Sequence, residues 1–170
     1  MKRLLVFGVP ILAAVLLLGC SPHQRGPYSV MVDYDCSLEE TINAGCYDYI
    51  DVSIYEKYSW KETINGHGQQ EVQFYLINIK GPKDVEELIS ELDKRNLRPA
   101  TVKELVFFGN KYDETDSIVA LGSVRACPPY RDVACLCCYD SKRELRSLLS
   151  SVDEARWWSC FYSWFLAVPK

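Results

Sequence analysis

The chain has 170 residues, 48% of them hydrophobic, with 19 Lys and Arg against 23 Asp and Glu and a formal charge of −4. Acidic residues in excess, no basic stripe and no Lys/Arg-rich tail exclude a nucleic-acid partner as the reading of this composition. With only 2 His in the chain, and no Ser/His/Asp or Cys/His arrangement, phosphate loop or carboxylate motif, no enzymatic activity, cofactor or metal is expected.

In chain order, Met1-Lys2-Arg3 is a short basic start, and residues 4–18 are an apolar run broken only by Gly8 and Pro10. A secretory signal combines a positive end, an apolar core of about 7–15 residues and small residues at the cut. A spanning helix needs about 20 apolar residues, and this run stops at Ser21-Pro22. The string Leu17-Leu18-Gly19-Cys20 resembles the bacterial lipobox. That resemblance implies that residues 1–19 are a lipoprotein signal peptide and that Cys20 carries a diacylglyceryl group and further palmitate-type acyl chains. Several acyl chains hold a protein firmly to a bilayer where one does not. Loss of Lys2 and Arg3 with the signal takes the formal charge from −4 to −6 and leaves about 150 residues, one domain with a real core. The organisation expected is signal 1–19, lipidated tether 20–32 and a single domain 33–170.

Ser21, Pro22, Gly26 and Pro27 give residues 20–32 the composition of a tether. Ser37-Leu38-Glu39-Glu40 is a capping box with Gly45 as a stop, which predicts a short helix. Residues 47–70 are aromatic but irregular, ending in a loop where His67 lies between glycines. Residues 71–80 read as a strand, because Val72, Phe74 and Leu76 alternate before Ile77 and Ile79. The strongest helix follows: Pro82 opens it, Val85, Leu88, Ile89 and Leu92 form its apolar stripe, and Lys94-Arg95 end it. Thr101-Val102-Lys103-Glu104 is a second capping box, starting a helix with Gly109 as its stop.

From Ser117 the pattern changes to short strands and turns. Residues 118–121 are a buried-strand run, residues 133–139 another, Asp140-Ser141-Lys142 a turn, and residues 161–168 a final strand. Leu145, Leu148 and Leu149 fit a strand or a short helix. Strand, helix, helix and then several strands is an α+β order. Of 8 Cys, seven remain beside Cys20, an odd number. The Cys135-x-Cys137-Cys138 cluster lacks the knuckle spacing of a structural zinc site, and a disulfide among these residues is the better expectation.

The stretch LDKRNLRPATVKEL, then FGNKY and DSIVALGS, closing with FLAVPK, resembles an uncharacterised bacterial family sharing an Arg-Pro-Ala-Thr helix start, an Ala-Leu-Gly-Ser strand and a Phe-Leu-Ala-Val-Arg-Lys end. That layout is similar to the C-type-lectin-like fold of the formylglycine-generating-enzyme type. It covers Arg98 to Lys170, with Arg98, Pro99, Thr101, Glu104 and Leu105 as its specific part; Pro169 and Trp164 depart from it, each standing where the pattern has Arg. The resemblance implies an α+β, C-type-lectin-like domain with two helices and a small, mostly antiparallel sheet. It also implies kinship with the variable proteins of diversity-generating retroelements, ligand-binding displays whose C-terminal residues are rewritten at adenines. Tyr, Cys, Ser, Asp, Arg and Pro are products of that rewriting, and the segment after residue 126 is rich in them.

Tyr, Trp, Ser and Asp on loops over a rigid sheet make a recognition surface, with rigid aromatic area beside adaptable polar groups. The candidate ligand-binding residues are Tyr130, Arg131, Asp132, Tyr139, Asp140, Ser141, Trp157, Trp158, Ser159 and Tyr162. The expected function is a membrane-anchored binding lipoprotein of the cell envelope, held by Cys20 and taking an unidentified protein or glycan. The alternatives are a structural envelope lipoprotein without ligand, and a formylglycine-generating-type oxidase using Cys135 with Cys137 or Cys138 to hold copper.

Overall fold

The computed structural model describes residues 23–55, 60–62, 66–80, 84–127, 130–151 and 164–170, with backbone alone at 61–62, 124–127, 130–131 and 149–151. The strands are β1 (Gln24–Asp33), β2 (Tyr49–Ile50), β3 (Trp60–Glu62), β4 (Gln69–Ile77), β5 (Leu97–Pro99), β6 (Ile118–Cys127), β7 (Tyr130–Tyr139), β8 (Lys142–Ser151) and β9 (Trp164–Pro169). The helices are α1 (Leu38–Asn43), α2 (Val85–Asp93) and α3 (Val102–Lys111), with a 3-10 turn at Val52–Tyr55. The chain is therefore α+β.

Among the described residues the strands join in one sheet, in the order β1-β4-β9-β6-β7-β8-β2, with β3 added to β6 and β5 to β9. Pairing is antiparallel except for β6 with β9 and β2 with β8. Nine strands make this larger than the small sheet expected. The growth comes from short pieces such as β2, β3 and β5, which carry too few residues to show alternation.

One face of the sheet carries Val30, Val32, Val72, Phe74, Leu76, Ala120, Ala134, Leu136, Leu145 and Leu166, packed with Leu105, Val106 and Phe108 of α3 and Ile42 of α1. The other face carries Val119, Leu121, Val133, Cys135 and Phe165 under Val85 and Leu88 of α2. Both layers follow from period-2 strands meeting period-3.6 helices.

Each helix starts at a capping box: Ser37 with Glu40, Asp84 with Glu87, and Thr101 with Glu104. Ser37 and Thr101 are the caps read from the sequence. The opening of α2 is not at Pro82, which lies outside the described residues, but at Asp84, whose carboxylate accepts from Glu87 N–H at 2.7 Å. Gly109 does not stop α3. It is buried inside the helix, because a Cβ there would lie 2.8 Å from Tyr47 Oη and 2.9 Å from Leu136 Cδ2. Residues 97–99 form a short strand on β9, and residues 142–151 are a strand throughout.

The tether reading of residues 20–32 is corrected most. From Gln24 onward the chain is strand β1, paired antiparallel with β4 over its length. Val30 and Val32 enter the core while Met31 stays exposed. Pro27 fits because β1 is an edge strand with a register shift between Arg25 and Tyr28.

Candidate functional site

The residues on which the family resemblance rested form a structural lock. Gly122 lies against the α3 entry so closely that a Cβ would sit 2.6 Å from the Ala100 carbonyl oxygen. Its own N–H donates to that oxygen at 2.8 Å. Next to it, Ser123 Oγ accepts from Val102 N–H at 2.9 Å, satisfying one of the unpaired amides that begin a helix. Glu104 is 0% exposed and receives Arg98 on both carboxylate oxygens, at 2.7 and 3.0 Å. It also accepts from Thr101 N–H at 2.8 Å and from Tyr34 Oη at 2.5 Å. Burial alone would push this carboxyl up. The hydrogen bonds and charge of Arg98, joined by Tyr34 and Thr101, hold it below the usual carboxylate range. Tyr34 is pushed the other way, by burial and by its bond to Glu104.

The candidate ligand-binding residues between 130 and 141 separate into two groups along one hairpin. Tyr130 pairs with Ser151 at its open end, and Tyr139 with Lys142 at its turn. A ten-residue strand covers about 30 Å at ~3.3 Å per residue. Tyr139 is 67% exposed, and Asp140 and Ser141 form the exposed turn with φ of 48° and 63°. At the other end, Tyr130 and Arg131 are described by backbone alone. Asp132 is only 1% exposed, so it leaves the candidate surface. Trp157, Trp158, Ser159, Tyr162 and the lipidation candidate Cys20 lie outside the described residues.

The turn end is tied down from several sides. Arg143 donates its backbone N–H to Asp48 Oδ2 at 2.7 Å and its guanidinium to the Cys46 and Gly109 carbonyls. Its Nε is 3.3 Å from Asp113 Oδ1, and its guanidinium stands 5.2 Å from the Tyr47 ring centroid. Tyr47 in turn donates to Asn110 Oδ1 at 2.9 Å. None of these partners was legible in the sequence, since residues 46–48, 109–113 and 143 meet only through the fold.

Beside this turn, the sheet face that α2 covers continues onto β7, β8 and β2. Cys135 and Cys137 point to that face with Arg146 and Glu144, their cross-strand partners, and Tyr49, the partner of Glu144. Arg146 Nε is 2.5 Å from Glu144 Oε2, and its guanidinium stands 4.9 Å from the Tyr49 ring centroid. Interaction with the neighbouring Cys137 thiol, with burial, pushes Cys135 up. The same interaction holds Cys137 down, helped by Arg146. Cys137 is thus the more readily ionised thiol and the half-buried one. Cys138 projects to the opposite face, which removes it from the pair. Cys36, Cys46, Cys135, Cys137 and Cys138 are all free thiols, and no disulfide joins them. Among the described residues no three His, Cys, Asp or Glu are grouped to hold a metal ion. His67 is an exposed loop residue 3.9 Å from Asp35. No described helix is long and apolar enough to cross a membrane.

Comparison with family models, with curated proteins and with solved structures finds no match to this chain.

Proposed function

We propose that the protein is a ligand-binding lipoprotein of the cell envelope, exported and held to its membrane by acyl chains on Cys20. The observation that carries the reading is the position of the lipobox cysteine four residues ahead of Gln24, where the folded sheet begins. A lipid there anchors a rigid domain rather than the end of a loose tail. The exposed aromatic Tyr139, the Asp140-Ser141 turn and, at the far end of the hairpin, Tyr130 and Arg131 supply surface of the kind that binding loops use. Kinship with C-type-lectin-like domains and with retroelement variable proteins belongs to the same proposal. It is supported by the Arg98, Pro99, Thr101 and Glu104 helix start and by the run of Tyr, Cys, Ser and Asp after residue 126.

Labelling cells with an alkyne fatty acid tests the anchor: the wild-type chain takes the label and Cys20→Ala loses both label and membrane association. A glycan and protein array probed with a lipid-free chain beginning at Cys20 tests ligand binding. A hit weakened at least tenfold by Tyr130→Ala or Arg131→Ala supports the reading, and silence across broad panels assigns a purely structural envelope role. A reverse transcriptase and template repeat beside the gene would support diversification, and their absence would remove it. One observation favours the oxidase alternative, the Cys135 and Cys137 pair on one face of β7. Stoichiometric copper binding lost in Cys137→Ser is the result that would revive it.

A further inference from the structure

Where the sheet starts limits how far the domain can stand from a lipid on Cys20. The pairing of β1 with β4 already includes His23, whose carbonyl accepts from Asn78 N–H at 2.9 Å. Arg25 is fixed as well. Its Nη1 lies 2.7 Å from Asp116 Oδ2 and 3.5 Å from Glu114 Oε2, and its guanidinium covers the Trp164 ring at 4.2 Å. Trp164 is 8% exposed, so peeling back the strand to lengthen the tether would break ion pairs and uncover a buried indole. Between Cys20 and the held backbone of His23 stand Ser21 and Pro22, a reach of about 10 Å when fully extended.

The sheet register gives the direction of that reach. Gln24 aligns with Ile77, then Phe165, Val119, Cys135 and Arg146 in one row across the sheet. From Cys135, β7 runs four residues further, to Tyr139, on the side from which β1 enters. That is about 13 Å at ~3.3 Å per residue. From Gln24 back to Cys20 is also four residues, and no more than about 14 Å. The lipid attachment therefore lies no further out along the strands than the turn of the hairpin. The two are separated across the sheet by four strand pairings, about 19 Å at ~4.8 Å each. A surface passing through both runs across the strands, and the sheet stands upright on it.

The geometry points to the 139–142 turn as a membrane-resting foot of the domain, an inference that rests on the reading of Cys20 as acylated. The partner is the interfacial layer of the bilayer. Tyr139, the turn's aromatic residue, is 67% exposed and presents a ring that is apolar on its body and polar at its tip, which suits the headgroup layer. Exposed Lys142, paired with it, lays its stem along the surface and its ammonium among phosphates. Asp140 offsets that charge, so the tether rather than net attraction sets the contact. The Tyr130 end, about 30 Å away, faces outward, so the orientation narrows the binding surface proposed above to that end and gives the turn to the membrane.

The full chain, purified from membranes and reconstituted in phosphatidylethanolamine–phosphatidylglycerol vesicles, is compared by hydrogen exchange with the lipid-free chain beginning at Cys20. Amide exchange across residues 139–142 is expected to slow several-fold in the vesicle-bound form, with residues 130–132 unchanged. The mass of the Cys20 peptide reports acylation independently. An unmodified Cys20 overturns both anchor and orientation, whereas an acylated Cys20 with unchanged exchange at the turn overturns the orientation alone. Inserting about ten Gly and Ser residues after Ser21 adds a flexible reach of about 17 Å and should abolish the protection. Protection that survives the insertion would overturn the short tether as its cause.

Discussion

Glu104 occupies a place where the same carboxylate serves two structures. As the third residue of α3 it completes the capping box with Thr101, and as a buried anion it holds Arg98 and the Tyr34 hydroxyl. The first role was legible, because a capping box is a local spacing. The second was not, because Tyr34 stands 70 residues away and only the fold brings it near. The Arg98 side chain is 21% exposed and Glu104 fully buried, so removing the anion leaves an arginine largely uncompensated. Glu104→Gln should cost about 3–5 kcal/mol, measured by urea unfolding. The sign with pH follows from the lowered carboxyl. An acid held below its unfolded value stabilises the fold above that value and releases the contribution as pH falls through the folded one. Wild-type stability should thus decline as the pH drops from about 4.5, the ordinary glutamate value, and the Gln variant should lack that component. A variant with the same acid limb as wild type would show that Glu104 does not carry it.

At the scale of elements, the sequence was readable where an element carries its own signals and opaque where its partner supplies them. Of the two long helices, α2 declares itself through its apolar stripe and α3 through its capping box, and the 139–142 turn declares itself through Asp140-Ser141. The β1 strand is hidden because Pro22, Gly26 and Pro27 imitate a tether, although an edge strand accepts Gly26 and Pro27. Its carbonyl at Ser29 is covered from outside by Lys111 Nζ and Tyr112 Oη, at 2.5 and 3.1 Å, one of the ways edges are kept from pairing with other chains. The hairpin turn itself is a position of strain that the candidate-site residues occupy. Both central residues have positive φ, the geometry that two-residue hairpins fill best with Asn-Gly. Replacing Asp140-Ser141 by Asn-Gly should stabilise the domain by about 1 kcal/mol and raise the melting temperature by about 2–6 °C. No gain on melting would mean that the serine side chain stabilises the turn in a way backbone geometry does not capture.

For the whole molecule, the extra strand changes what counts as the domain. A boundary at residue 33, as composition suggests, would remove β1. That strand contributes Val30 and Val32, both buried, each stabilising by about 1.5–3 kcal/mol. It also brings Tyr28, stacked edge-on against Phe108 and Tyr112 at 5.3 and 5.0 Å, and the whole ladder that covers β4. Together these losses rival the roughly 5–15 kcal/mol that holds a typical domain folded, and they expose β4 as a new, apolar edge prone to pairing with other chains. A chain beginning at Cys20 should unfold in one cooperative transition by circular dichroism. A chain beginning at residue 33 should show no transition, or precipitate. If the shorter chain melted at the same temperature as the longer one, β1 would be an accessory. The short reach from Cys20 to the fold, and with it the upright stance on the membrane, would then lose its physical basis.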